Sequence, residues 1–229
     1  MNNSRKFYIV VGHYGCGKSN FSVNLALDLA SKGRKTMLMD LDLVNPYFLS
    51  SGCKDVLEKA GIKVISPLYA NSNVDIPALP ADMNLAFERD DYDVVMDVGG
   101  DDAGSVVLGR FHEQISKVDY EMLYVINRYR NLTMTPEDTV EILREIETAS
   151  RAKACGLVNN SHLKQETVYE TVADSLGYAA EVSKQSGLPI FATTVPRYLE
   201  KDDRVKQMEN DNSECNFYPI DIYVKAPWE

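Results

Sequence analysis

At 229 residues, 45% of them hydrophobic, the chain has the length and apolar content for one large α/β domain covering residues 1–229. A formal charge of −10, from 34 acidic against 24 basic residues, argues against direct nucleic-acid binding, and no Lys/Arg block interrupts it. No apolar run approaches a membrane span, Met1-Asn2-Asn3-Ser4 opens no secretory signal, and Cys16, Cys53, Cys155 and Cys215 form no C-x-x-C pair, so the expected setting is a reducing cytoplasm, without membrane anchorage, disulfide framework or zinc site.

The first element is an apolar run, Phe7 to Val11, short enough for a buried strand. Gly12-His13-Tyr14-Gly15-Cys16-Gly17-Lys18-Ser19 follows and fits G-x-x-x-x-G-K-[ST]. Phe21, Leu25 and Leu29 then recur every four residues, so a helix leaves the loop. A phosphate-binding loop needs this order. Glycines let backbone N–H groups converge on an anion, and the helix N-terminus adds partial positive charge. The candidate nucleotide-binding residues here are Gly12, Gly15, Cys16, Gly17, Lys18, Ser19 and Asn20, with Lys18 reaching the β- and γ-phosphates and the Ser19 hydroxyl a ligand for Mg²⁺. A plain glycine-rich turn between strand and helix is the other reading of the same residues.

A second buried strand is expected over Lys35 to Leu41, and Asp40-Leu41-Asp42-Leu43-Val44-Asn45-Pro46 closes it. Two carboxylates at i and i+2 where a parallel strand ends are placed to meet a ligand at the carboxyl edge of a sheet. An ordinary turn of Asp, Asn and Pro would read the same. Residues Cys53 to Ala60 suggest a short helix and Ile62 to Ser66 a strand. Pro67 to Pro80 is long and irregular, the pattern of a lid or binding loop or of a plain surface excursion, before a possible short helix over Ala81 to Arg89.

Tyr92-Asp93-Val94-Val95-Met96-Asp97 reads as a buried strand delivering a carboxylate toward bound Mg²⁺, and Gly99-Gly100-Asp101-Asp102-Ala103-Gly104 as a turn after it. Asp97-x-x-Gly100 has the form of a segment that senses a γ-phosphate. Met122 to Asn127 is the next strand. Thr135-Pro136-Glu137-Asp138 then starts a helix, with Thr as cap and Pro first. Strands at Ala154 to Asn159, Leu188 to Thr194 and Ile220 to Val224, with a helix over residues 164 to 185, complete the alternation. It predicts a three-layer α/β fold with a mainly parallel sheet and helices on both faces.

Taken together, GHYGCGKS, DLDLVNP and VVMDVGGDDAG resemble the MinD/ParA group of P-loop ATPases, which also includes the nitrogenase iron protein and cobyrinate-synthase-like domains. The resemblance implies Mg²⁺·ATP as ligand, Asp40 and Asp97 with Ser19 near the metal, and Asp42 positioning the attacking water. It makes Lys18 and Asp42 the catalytic pair and Gly100 the switch glycine. It also implies Asn159 or Asn160 as the adenine reader, with Pro196 and Arg197 lining the base from the other side. A guanine-reading aspartate three residues after an asparagine is absent, because His162 follows Asn159 and Leu163 follows Asn160, which favours ATP. The group's signature lysine, which reaches a partner's nucleotide across a dimer, is replaced by His13, followed by Tyr14. The expected function is a nucleotide-driven switch that hydrolyses ATP and acts on a protein partner or on its own homodimerisation. An ATP-dependent kinase or ligase acting on a small acidic substrate is the alternative. Arg128 and Arg130 could face such a substrate or partner, although solvated loop charges read the same.

Overall fold

A computed structural model of the chain describes residues 5–42, 51–66, 81–100 and 102–224. Eight strands form one sheet: β1 (Phe7–Val11), β2 (Thr36–Asp40), β3 (Lys63–Ile65), β4 (Asp93–Asp97), β5 (Glu121–Ile126), β6 (Gly156–Asn159), β7 (Ile190–Pro196) and β8 (Phe217–Ile220). The helices between them are α1 (Lys18–Ser31), α2 (Ser51–Lys59), α3 (Leu85–Glu88), α4 (Asp102–Arg110), α5 (His112–Ile115), α6 (Pro136–Ser150), α7 (Tyr169–Ser186) and α8 (Asp203–Asp211). The spatial order is β3-β2-β4-β1-β5-β6-β7-β8, and every neighbouring pair is parallel.

The apolar runs divide by the two-residue period of a strand. From β1, Phe7, Ile9 and Val11 enter the core under α4, α6 and α7, alongside Val107, Leu143 and Val182. Tyr8 and Val10 point the other way, to Phe21, Leu25 and Leu29 of α1 and Leu57 of α2. A strand buried on both faces carries no alternation, which is why β1, β4 and β5 read as continuous apolar runs. A third cluster, Val172, Val195, Val205 and Met208, seats α8.

Helix α6 starts where the sequence puts it: Pro136 is first, and the Thr135 hydroxyl accepts the Asp138 N–H at 3.2 Å. Other expectations shift. The closing strand lies at Phe217–Ile220 rather than Ile220 to Val224, because the amides of Asp221, Tyr223 and Val224 are taken by the side chains of Asn24 and Asn20 on α1. The expected turn through Gly104 is instead the start of α4, secured by burial of Val107 and Leu108. The helix over 164–185 begins at Tyr169, and α8 was not expected, since only Val205 and Met208 of its nine residues are buried. The Leu43-to-Pro46 segment, Asp101 and the Pro67-to-Pro80 stretch lie outside the described residues. Among the described residues no helix is long and apolar enough to cross a membrane.

Candidate functional site

Strand β1 stands inside the sheet between β4 and β5, so the loop leaving its carboxyl end is flanked by the ends of both neighbours. Gly12 lies so close to β5 that a Cβ there would sit 2.5 Å from the Val125 carbonyl oxygen. Gly15 and Gly17 have φ of 77° and 87°, the left-handed backbone that glycine adopts without a Cβ penalty. Gly17 caps α1, and the Phe21 N–H bonds its carbonyl at 3.0 Å. The Cys16 amide closes the loop on the His13 carbonyl at 3.2 Å, and the buried Lys18 ammonium bonds the same carbonyl at 3.1 Å. The Cys16 side chain points inward, its Sγ 3.8 Å from the Thr133 hydroxyl, so only its backbone faces the loop's concavity.

Three carboxylates gather on the β2–β4 side. Asp40 and Asp97 end adjacent strands and are register partners. Asp40, Asp42 and Asp97 are 3%, 8% and 4% exposed. Asp40 accepts the Asp42 N–H at 2.8 Å, and Asp97 accepts hydroxyl bonds from Ser19 and, at 3.1 Å, from Ser22. Burial pushes the Asp97 carboxyl up to about 6 despite those bonds and the Lys18 charge. Burial, reinforced by Asp97, also holds Asp40 well above the usual carboxylate range. Side-by-side anions out of water call for a cation. Carboxylate and hydroxyl oxygens suit a hard ion such as Mg²⁺. Among the described residues no group of three His, Cys, Asp or Glu side chains is arranged to hold a metal ion by itself.

The glycines after β4 bring a second segment onto the loop. A Cβ on Gly100 would overlap the Lys18 ammonium and lie 2.7 Å from the Tyr14 backbone, and one on Gly99 would sit 3.4 Å from Asp42 Oδ1. Gly99 and Gly100 thus bring Asp42 and Lys18 to one segment, and Ser19, Asp40 and Asp97 are tied to them by hydrogen bonds and charge.

No family model matches the chain, and no curated protein sequence matches it. Solved structures do match. The cell division protein FtsY of Thermotoga maritima is 20% identical with a TM-score of 0.56, covering 85% of this chain and 63% of its own. The chloroplast FtsY of Physcomitrella patens is 16% identical with a TM-score of 0.57, over 84% of this chain and 59% of its own. The signal recognition particle receptor FtsY of Elizabethkingia anophelis, in complex with GDP, is 17% identical with a TM-score of 0.51, over 85% and 58%. The fold is that of a P-loop NTPase. This chain spans about three fifths of the length of those FtsY chains.

On the far side of the P-loop, toward β6, the expected base readers are turned inward. The Asn160 amide donates to the Cys16 carbonyl at 2.7 Å and its oxygen accepts from Thr194 at 2.7 Å. Asn159 donates to Ser175 at 2.9 Å, and its buried Oδ1 has no partner among the described residues. Asn160 thus clamps the P-loop in place with one amide hydrogen and one lone pair of its oxygen. Asn20 is likewise spent: its amide donates to the Asp221 carbonyl at 3.0 Å and its oxygen accepts from Tyr223 and Val224. Pro196 closes β7, and Arg197 pairs with Asp221 at 3.0 Å and Glu200 at 3.3 Å on an exposed surface.

Two further residues stand at the P-loop. Arg130, exposed and with no ion pair among the described residues, brings its Nε within 3.5 Å of where a Gly15 Cβ would be. Its position after β5, the neighbour of β1, is the signal that sequence alone left between a solvated charge and a functional one. His162 is the second; its Nε2 lies 3.8 Å from a Gly17 Cβ. His13 is half-buried, and burial and the Lys18 charge push its pKa down. It supplies no fixed charge near neutral pH.

Proposed function

We propose that this chain is a Mg²⁺-dependent nucleoside triphosphatase whose P-loop, Asp40–Asp42 corner and Gly99–Gly104 segment form a phosphate-sensing switch. The observation that carries the reading is the close approach of Gly100 to Lys18 and Tyr14, with Gly99 beside Asp42 and the Asp40–Asp97 pair ending the two adjacent strands. Loop amides and Lys18 neutralise the polyphosphate, which is most of the catalysis in phosphoryl transfer. Ser19, Asp40 and Asp97 would hold Mg²⁺, which would supply positive charge against the phosphates. Asp42 holds a water in line with the γ-phosphate. Arg130 supplies a positive charge from within the chain beside Gly15, a role His13 cannot fill. Loss of the γ-phosphate frees Gly100 from its neighbours, and residues 99–104 then alter a surface offered to a protein partner or to a second copy.

ATP is the expected nucleotide, because no aspartate stands three residues after Asn159 or Asn160. GTP is the second reading, favoured by the likeness to an FtsY that binds GDP. Phosphate release from purified protein with Mg²⁺ and either nucleotide tests both. Slow release with no acceptor, abolished by Lys18→Ala and Asp42→Ala, is the expected result. Release only in the presence of a small carboxylate acceptor would replace the switch with a kinase or ligase.

A further inference from the structure

Arg130 is held by its backbone, which leaves its side chain to reach Gly15. Its N–H bonds the Asn127 carbonyl at 3.3 Å, and its own carbonyl accepts the Thr133 N–H at 2.9 Å. The Thr133 hydroxyl donates to the same Asn127 carbonyl at 2.7 Å. Thr133 thus bonds both the residue that opens the turn after β5 and the arginine itself. It is fully buried between Leu132 and Met134, which are both more than half exposed. A threonine out of water needs its polar groups paired, and here the N–H, the carbonyl and the hydroxyl are all used.

The remaining partners come from three parts of the chain. The Tyr178 hydroxyl of α7 donates to the Thr133 carbonyl at 2.8 Å. The Thr139 hydroxyl of α6 lies 3.3 Å from that carbonyl oxygen and 2.8 Å from the Tyr178 hydroxyl. On the other side the Cys16 thiol stands 3.8 Å from the Thr133 hydroxyl, whose proton goes to Asn127, so the thiol is the donor. Thr133 therefore ties the turn that carries Arg130 to the P-loop and to two helices at once. The Arg130 Nε, Cδ and Cζ lie 3.5, 3.6 and 3.7 Å from where a Gly15 Cβ would stand. A shift of about 1 Å in a charged group is enough to remove much of its effect on a reaction. We propose that Thr133 is a positioning residue for the reaction, holding Arg130 against the P-loop where charge develops on the transferring phosphoryl group. This rests on the triphosphatase reading and on the place of Arg130 in it, and adds the residue that sets where the arginine stands.

The test is a double-mutant cycle on wild type, Thr133→Val, Arg130→Ala and the two combined, with Thr133→Ser as the conservative variant. Turnover is read with Mg²⁺ and whichever of ATP and GTP is hydrolysed. Calorimetry reads affinity for the matching diphosphate with Mg²⁺, alone and with aluminium fluoride as a mimic of the transferring group. Thr133→Val should cut turnover and the gain in affinity from aluminium fluoride about tenfold, while affinity for the diphosphate alone changes less than threefold. Thr133→Ser should keep most of both. In the Arg130→Ala background the Thr133→Val substitution should cost less than twofold. Tyr178→Phe keeps the ring and removes the bond to the Thr133 carbonyl, and should repeat the pattern at about threefold even where Thr133→Val fails to fold. Equal losses with and without Arg130 would make Thr133 a prop for the fold and overturn the proposal. So would diphosphate affinity falling in step with turnover. Undiminished turnover in Arg130→Ala would overturn it too, while leaving the P-loop reading in place. Wild type that neither binds nor hydrolyses a nucleotide would sink that reading itself, an outcome distinct from the others.

Discussion

At the residue scale, Asp97 and His162 answer pH in opposite senses. Asp97 has a folded pKa of about 6, above its unfolded value near 3.8, so its contribution is full below pH 4 and is lost as pH rises through 6. His162 has a folded pKa of about 4, below its unfolded 6.5, so its contribution is full above 6.5 and is lost as pH falls through 4. Each is worth about 3 kcal/mol at 1.36 kcal/mol per unit. Raised Asp40 adds to the Asp97 side. Metal-free His162→Gln should therefore lose urea resistance more steeply than wild type as pH rises from 4 to 6, and Asp97→Asn should flatten that decline. A second expectation concerns Arg130: Arg130→Ala should cut turnover by tenfold to a hundredfold while nucleotide affinity, read by calorimetry, changes less than threefold. The phosphate loop was legible because G-x-x-x-x-G-K-S fixes a backbone path. The clamp that Asn160 makes on the P-loop, and the nearness of Arg130 and His162 to it, were not legible, since they depend on which strand ends lie beside β1, and chain order does not give that.

At the element scale, the segment after β4 and the P-loop are packed without room for a methyl group. Gly100→Ala should abolish phosphate release and lower the melting temperature, because the added carbon meets the Lys18 ammonium and lies 2.7 Å from the Tyr14 backbone. Restored melting without restored turnover in a second variant, Lys18→Ala with Gly100→Ala, would separate the two effects. Gly12→Ala adds backbone strain to its clash: the carbon lies 2.5 Å from the β5 carbonyl and the φ is 152°, so several kcal/mol of stability should go with it. The strands were readable as apolar runs because both faces are buried. Helix α8 was not, as Asp203–Asp211 is polar at all but two positions and owes its place to Val205 and Met208. Likewise β8 starts three residues earlier than propensity suggests, since side chains of α1 compete for the amides that would have extended it.

At the scale of the whole molecule, the parallel order of eight strands makes every sheet contact non-local, and α1 is the extreme case. Its Asn20 and Asn24, one and five residues past the Ser19 hydroxyl, hold the backbone of residues 221–224 through bonds that span about two hundred positions. Asn20→Ala and Asn24→Ala together should lower the melting temperature by several degrees and weaken nucleotide binding, although neither side chain reaches the ligand. On the ribosome, the helix that completes the anion cradle is made among the first and finds its polar partners almost two hundred residues later. A nascent chain stalled short of Asp221 should fail to retain nucleotide, and one released past Val224 should hold it, so competence would arrive only as translation nears that point.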